Sequence, residues 1–255
     1  MAGAGSVTDS PTARTSAVVL EWLEQELRAG SIKVGDKLPG ERVLAEQFGI
    51  SRPSVREAVR VLDAMGLVRT AAGSGPRAGA IVISEPSAAL TWALRMHVAT
   101  QALPVADIVS ARLLLETGAA RRARGPHGMT GEEAQQILHR AGELLDRMDS
   151  PDLPAEDFHH LDAEFHVLLS TLGGNVVVET MMKSLREATV GYVQETVAGR
   201  RDWEDVRARL QQQHRQILAS YTAADTEATV AALREHILWF SSLALEDEEQ
   251  DAIVE

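Results

Sequence analysis

The chain is 255 residues long, 45% hydrophobic and 24% charged, with a formal net charge of −12, which is enough apolar surface for a sizeable core and enough length for two domains. The absence of cysteine excludes disulfides, thiolate nucleophiles and cysteine-based zinc fingers, so any metal must be held by histidines and carboxylates. No apolar run approaches the ~20 residues of a membrane-spanning helix, and the first residues form no apolar signal core, so a cytoplasmic protein with no membrane partner is expected.

Leu, Ala, Glu and Arg are plentiful while aromatics make up only 4%, a composition suited to helices packed on aliphatic side chains. Residues 1–15 are small, polar and proline-containing, and disorder is expected there. A helix is predicted from an N-cap at Ser16 to Gly30, with Val19, Leu20, Leu23 and Leu27 on one side. A turn-rich stretch over 34–40 leads into a short helix over 41–48 that stops at Gly49. Ser51 caps the next helix, whose buried face is Val55, Ala58, Val59 and Leu62, and Gly66 ends it. Two short strands over 67–70 and 80–83, joined by a glycine-rich loop, complete a unit expected to span 16–84. Beyond it only helices are predicted, near 87–100, 105–124, 130–148, 155–172, 176–198, 203–222 and 225–246. Thr130-Gly131-Glu132-Glu133 has the form of a capping box, and Gly173-Gly174-Asn175 is a stop-and-restart signal. The second unit is thus expected over 87–246, with 247–255 a solvated acidic tail.

The charge is unevenly shared. Residues 1–84 hold ten Lys+Arg against nine Asp+Glu, and the remainder holds 15 against 28. Two short helices separated by Gly49-Ile50-Ser51 and followed by a hairpin have the order of a winged helix-turn-helix, whose second helix enters the major groove N-terminus first. That end carries Ser51, Arg52, Ser54 and Arg56; Arg can pair bidentately with guanine, and Ser can bond to phosphate or a base edge. Arg52, Arg56 and Arg60 recur every four residues and form one cationic stripe. Exposed arginines are common on amphipathic helices, but that explanation leaves the local reversal of charge sign unaccounted for.

The helical half carries polar groups where the periodicity calls for apolar ones. In the 155–172 helix, Asp162 falls inside the stripe Phe158, Leu161, Phe165, Leu168, Leu169 and Leu172, with His166 at its edge one turn on. His214 sits amid Val206, Leu210, Ile217 and Tyr221, and His236 between Leu233, Phe240 and Leu243; His97 also points to an apolar side. Any one of these histidines could simply be satisfied in the core by a carbonyl. Three imidazoles and a carboxylate aimed at one interior instead suit a divalent ion, Zn²⁺ first, with Ni²⁺ or Mn²⁺ as alternatives. Arg112 is a further inward polar group; it wants a carboxylate or phosphate, either Glu116 one turn on or a small anionic ligand bridging it to the metal.

Leu38-Pro39-Gly40-Glu41-Arg42-Val43-Leu44-Ala45-Glu46-Gln47-Phe48-Gly49-Ile50-Ser51-Arg52-Pro53-Ser54-Val55-Arg56-Glu57-Ala58 resembles the GntR family of bacterial transcription regulators. The resemblance implies DNA contacts from Arg42, from Ser51, Arg52, Ser54 and Arg56 on the recognition helix, and from Gly73 on the wing. The wing departs from the family pattern, because Gly75 is followed by Pro76-Arg77-Ala78-Gly79, which makes Arg77 a candidate for the minor groove. Arg112-Leu113-Leu114-Leu115-Glu116, Asp162-Ala163-Glu164-Phe165-His166, Gln213-His214-Arg215-Gln216 and Arg234-Glu235-His236 resemble the FCD effector domain of the FadR-like branch. That likeness implies a mainly α protein, a winged helix-turn-helix followed by an all-α bundle. It also implies a metal at Asp162, His166, His214 and His236, a carboxylate-bearing effector reached by Arg112, and a homodimer.

The function expected from the sequence is therefore a ligand-responsive repressor, not an enzyme, which binds a pseudo-palindromic double-stranded DNA operator as a homodimer and senses a small organic acid at a divalent metal. Two alternatives come from other classes. A metal-dependent hydrolase could activate water on such an ion, but the chain has no His-Glu-x-x-His run, and Glu164 projects away from the Asp162 side. A helical adaptor that binds no DNA would use an ion only to cross-link helices.

Overall fold

The computed structural model describes residues 11–71, 79–123, 131–197 and 202–254. The chain divides into two units, Met1–Ala89 and Leu90–Glu255. The first is built from α1 (Pro11–Ala29), α2 (Glu41–Phe48), α3 (Arg52–Ala64), β1 (Val68–Ala71) and β2 (Gly79–Val82). Helix α1 starts at Pro11 rather than at Ser16, because proline is as well suited to a first helical turn as serine is to a cap. Leu23, Leu38, Leu44, Val55, Val59, Leu62, Val68 and Val82 close a small core between the helices and the hairpin.

Local chemistry sets the angle between α2 and α3. Gly49 ends α2 in the left-handed region (φ 64°), and Ser51 caps α3 by accepting from the Ser54 N–H. Strands β1 and β2 pair antiparallel in register Val68↔Val82 to Ala71↔Gly79. The segment read as a turn adds a third edge to them: Gly35 N–H donates to Val82 O, Val82 N–H to Asp36 O and Leu38 N–H to Ala80 O. This pairing is non-local, so nothing in the turn's own residues announces it.

Gly66 joins α3 to the hairpin. With φ 69° it donates to Asp63 O while Leu67 donates to Leu62 O, a Schellman ending. A Cβ at Gly66 would run into the backbone carbonyl of Glu85. Gly66→Ala is therefore expected to cost about 2–4 kcal/mol, from left-handed strain and displaced backbone together, checked by urea unfolding of the full chain.

The second unit contains α4 (Pro86–Ala99) from Leu90 onward, α5 (Val105–Ala123), α6 (Gly131–Met148), α7 (Ala155–Thr171), α8 (Val176–Val197), α9 (Trp203–Thr222) and α10 (Thr226–Val254). Helix α7 packs against α5, α6 and α8, and α10 against α5 and α9, so α7 is enclosed. Phe158, Phe165, Leu169, Leu145, Ile217 and Leu233 are fully buried around it. Arg207 is buried as well and donates to the Met148, Ser150 and Leu153 carbonyls, tying off the end of α6.

Several expectations change. Helix α10 runs on to Val254, through residues expected to form a tail, since Glu, Ala and Gln are good helix formers. His97 is exposed on α4, a helix with no buried residue, so its apolar stripe faces no core. Asn175 does restart the chain, its side chain accepting from the Val177 and Val178 N–H groups at the start of α8. Thr130 of the predicted capping box and the loop over 72–78, with Gly73 and Arg77, lie outside the described residues.

Candidate functional site

The exposed face of α3 carries Arg52, Arg56 and Arg60, opposite the buried Val55, Ala58, Val59 and Leu62. Arg52 makes no ion pair among the described residues. Arg56 forks onto Glu41 through Nε (3.1 Å) and Nη2 (2.8 Å), and this hydrogen bond holds the Glu41 carboxyl below its usual value. Arg42 pairs with Glu46 at 2.8 Å and Arg60 with Glu57 at 3.7 Å. Such exposed pairs are worth little, so a phosphate or a guanine edge can displace them. Ser51 is exposed, whereas Ser54 is buried with its hydroxyl 2.9 Å from that of Ser51. The expected contact set therefore divides: Arg42, Ser51, Arg52 and Arg56 face outward, and Ser54 shapes the helix start.

The second cluster lies inside the bundle. Asp162 and His166 on α7, His214 on α9 and His236 on α10 are all buried and offer ligand atoms within 4.8 Å of one another. The neighbouring groups fix which nitrogens face inward. His166 Nδ1 donates to Glu116 Oε2 at 2.7 Å, because a carboxylate can only accept, and His236 Nδ1 lies 3.1 Å from Gln213 Oε1. Both rings then turn a bare Nε2 toward the centre, and those two atoms are 3.0 Å apart. Asp162 Oδ1 and His214 Nε2 are 2.8 Å apart, yet neither makes a directed hydrogen bond.

Lone pairs facing one another at about 3 Å repel unless a cation lies between them, and this is the spacing of two ligands each about 2.1 Å from one ion. The charge states agree. Burial pushes the His214 and His236 imidazoles down, keeping them neutral. Burial alone would raise Asp162, but the Arg186 guanidinium on its other oxygen is the first of the groups that hold the carboxyl well below the usual range. Neutral imidazoles and an ionised carboxylate are the forms that ligate a metal, so the four residues fit a divalent ion.

Two guanidinium groups adjoin this cluster. Arg186 on α8 grips Asp162 Oδ2, and Arg112 on α5 donates from Nε to Glu116 Oε1 at 2.5 Å. Burial alone would raise Glu116, but Arg112, His166 and Arg186 hold it at about 2. The two readings of Arg112 are thus not exclusive: Glu116 takes Nε, while Nη2 is buried without a hydrogen-bond partner, as is Nε of Arg186. Arg112 and Arg186 line a cavity of about 480 Å³ between α5, α8 and α10, and with Asp162 and His236 they also line a void of about 10 Å³ beside the ligand atoms. Sequence reasoning missed Arg186. It falls on the buried stripe Met182, Leu185, Thr189 and Val190 of α8, so the periodicity test that singled out Asp162 applies to it equally.

His159, one turn before Asp162, is buried against Trp203 (ring centroids 5.2 Å apart) and is pushed down by burial to about 4. The unfolded chain then binds a proton near pH 6.5 that the folded chain refuses until about pH 4. Stability from this ring is complete above pH 6.5 and is lost as the pH falls toward 4, by about 3 kcal/mol. His159→Phe is expected to flatten that part of the stability–pH curve, checked by urea unfolding from pH 7 to 4 with metal chelated throughout.

Comparison with known proteins supplies the context for both clusters. Residues 15–77 match the family described as "Bacterial regulatory proteins, gntR family", and residues 107–238 match the FCD domain. The HTH-type transcriptional repressor NanR of Citrobacter rodentium is 30% identical over 91% of this chain and 86% of its own length. The HTH-type transcriptional regulator LutR of Bacillus subtilis is 28% identical over 83% of this chain and 92% of its own. Among solved structures, Streptococcus agalactiae GntR superposes with a TM-score of 0.56 at 21% identity, covering 89% of this chain and 97% of the other, a likeness of fold.

Proposed function

The chain belongs to the GntR family of bacterial transcription regulators and carries an FCD ligand-binding domain, and from that membership we propose that it is a homodimeric repressor which releases its operator when an organic acid binds beside a divalent metal in the helical unit. The family consists of regulators rather than enzymes, which removes the hydrolase alternative, and its DNA-binding domain removes the adaptor. Among the described residues no helix is long and apolar enough to cross a membrane.

One observation carries the reading: three imidazole nitrogens and a carboxylate oxygen converge in the core, next to two guanidinium groups with N–H bonds to spare. A divalent ion held by these four residues, Zn²⁺ being suited to three nitrogens and one oxygen, would supply positive charge that attracts a carboxylate. The chain's own residues do the rest. Glu116 keeps the His166 proton on Nδ1, Arg186 orients Asp162 through Oδ2, and Arg112 Nη2 and Arg186 Nε donate to the incoming acid. These groups sit on α5, α7 and α8, so an acid gripping them favours one arrangement of those helices. A coupling of about 1–3 kcal/mol between that arrangement and the fit of two recognition helices to an operator would suffice for regulation. The NanR relative is a transcriptional repressor, which favours the negative sign.

The test uses DNA flanking the coding region. Zinc-loaded full-length protein is expected to bind a palindrome there with strong salt dependence, and an organic acid is expected to weaken that binding five- to a hundredfold. Affinity for all duplexes alike, or none for any, contradicts the proposal.

A further inference from the structure

The walls of the 480 Å³ cavity differ in chemistry from its inner end. Val98, Ile108, Val109, Leu113, Val193 and Ile237 supply aliphatic surface from four helices, and Phe240 and Tyr192 add rings. The wall also includes Ser110, Thr189 and Ser241, but their hydroxyl protons are already committed. Ser110 donates to Ala106 O, Thr189 to Leu185 O and Ser241 to Leu238 O, each a carbonyl of its own helix. These side chains therefore have no proton left to donate to a ligand. The unpartnered N–H bonds belong to Arg112 and Arg186, beside the metal ligands.

Such a cavity welcomes an anionic head at one end and rewards apolar surface everywhere else. A hydroxyl-rich ligand entering it would exchange water for walls that return few hydrogen bonds, at a cost for each hydroxyl buried. The volume also exceeds what a small hydroxy acid fills: about 150 Å³ accommodates benzene, so 480 Å³ has room for a body of roughly ten to fifteen non-hydrogen atoms. We propose that the acid sensed by this chain is amphipathic, a carboxylate bearing an alkyl or aryl body, and not a short hydroxy acid or a polyhydroxylated sugar acid. The inference rests on the preceding reading of this cavity as the effector site and names the chemical class of its ligand.

Calorimetric titration of the zinc-loaded full-length protein tests it, with n-alkanoates from butanoate to octanoate, 4-phenylbutanoate, lactate, gluconate and 1-octanol as probes. Each buried methylene is expected to tighten binding roughly fourfold, so octanoate binds about two hundred times more tightly than butanoate, with a negative heat-capacity change. Gluconate, close to octanoate in size, and lactate bind more weakly than octanoate by a hundredfold or more. Octanol, which has the tail without the charged head, binds at least tenfold more weakly. Val109→Trp, which fills the cavity, is expected to abolish octanoate binding while metal content stays unchanged. A flat alkanoate series, gluconate or lactate binding as tightly as octanoate, or octanoate binding unaffected by Val109→Trp overturns the inference, leaving an acid-sensing metal site possible. Octanol binding as well as octanoate, or no acid binding at all, overturns the effector reading beneath it.

Discussion

Replacing Asp162 by alanine is expected to cost the fold about 3–5 kcal/mol and to lower the melting temperature by about 10 °C, even with metal chelated throughout. The loss follows from the two-sided use of the carboxylate. One oxygen faces His214 Nε2 in the cluster and the other is gripped by Arg186, whose side chain is only 5% exposed. Without Asp162 that guanidinium keeps its charge and loses its direct ion-pair partner in the core, the costly way to break a buried pair. The double variant Asp162→Leu with Arg186→Met removes both charges and is expected to recover most of the stability while binding no metal, since apolar replacement of a buried pair is often near neutral. Equilibrium urea unfolding in chelator separates the two effects. A loss below 1 kcal/mol in the single variant would mean that Arg186 finds another partner.

The second large effect concerns DNA. Arg52→Ala is expected to weaken operator binding by about 2–6 kcal/mol, roughly thirtyfold at the least, with the fold intact and specificity relaxed at one base pair in each half-site. Arg52 leads the recognition helix, is exposed, and has no competing carboxylate partner among the described residues. The proposed homodimer would lose the contact twice. Arg42→Ala, on the helix before the recognition helix, which in this motif crosses the DNA backbone, is expected to lower affinity more evenly across sequences and to reduce the salt slope. Fluorescence anisotropy with operator and scrambled duplexes at several salt concentrations distinguishes the two; a loss for Arg52→Ala below threefold would remove that residue from base reading.

Both clusters were largely legible from period and spacing, and the places where legibility failed share a cause. Asp162, His166, His214 and His236 stood out because each put a polar group into an apolar stripe, and burial of all four follows from that pattern. Arg186 obeyed the same rule on α8 but is a residue type usually found outside, so its place on the stripe drew no attention. Ser54 is expected as a DNA contact from its place at the helix start and from the resemblance, and the fold buries it with its hydroxyl 2.9 Å from that of Ser51, a placement that depends on rotamers rather than on sequence. The 35–38 edge of the hairpin depends on hydrogen bonds to β2 some forty-five residues away, and no local pattern encodes them. The end of α10 follows helix propensity, whereas its run of acidic residues alone points to a solvated tail.

The orienting residues show why the cluster is more than four ligands. Glu116 joins Arg112 to His166, and Arg186 joins the cavity to Asp162, so the two guanidinium groups and the four clustered residues share carboxylates. A change at one end therefore alters hydrogen bonding at the other, which is the physical link a sensor requires.

Elemental analysis of untagged protein is the most direct measurement of that arrangement. The account predicts about one divalent ion per chain in the wild type and none in a folded His214→Ala variant. Wild-type protein that stays folded and metal-free after dialysis against Zn²⁺ would contradict it.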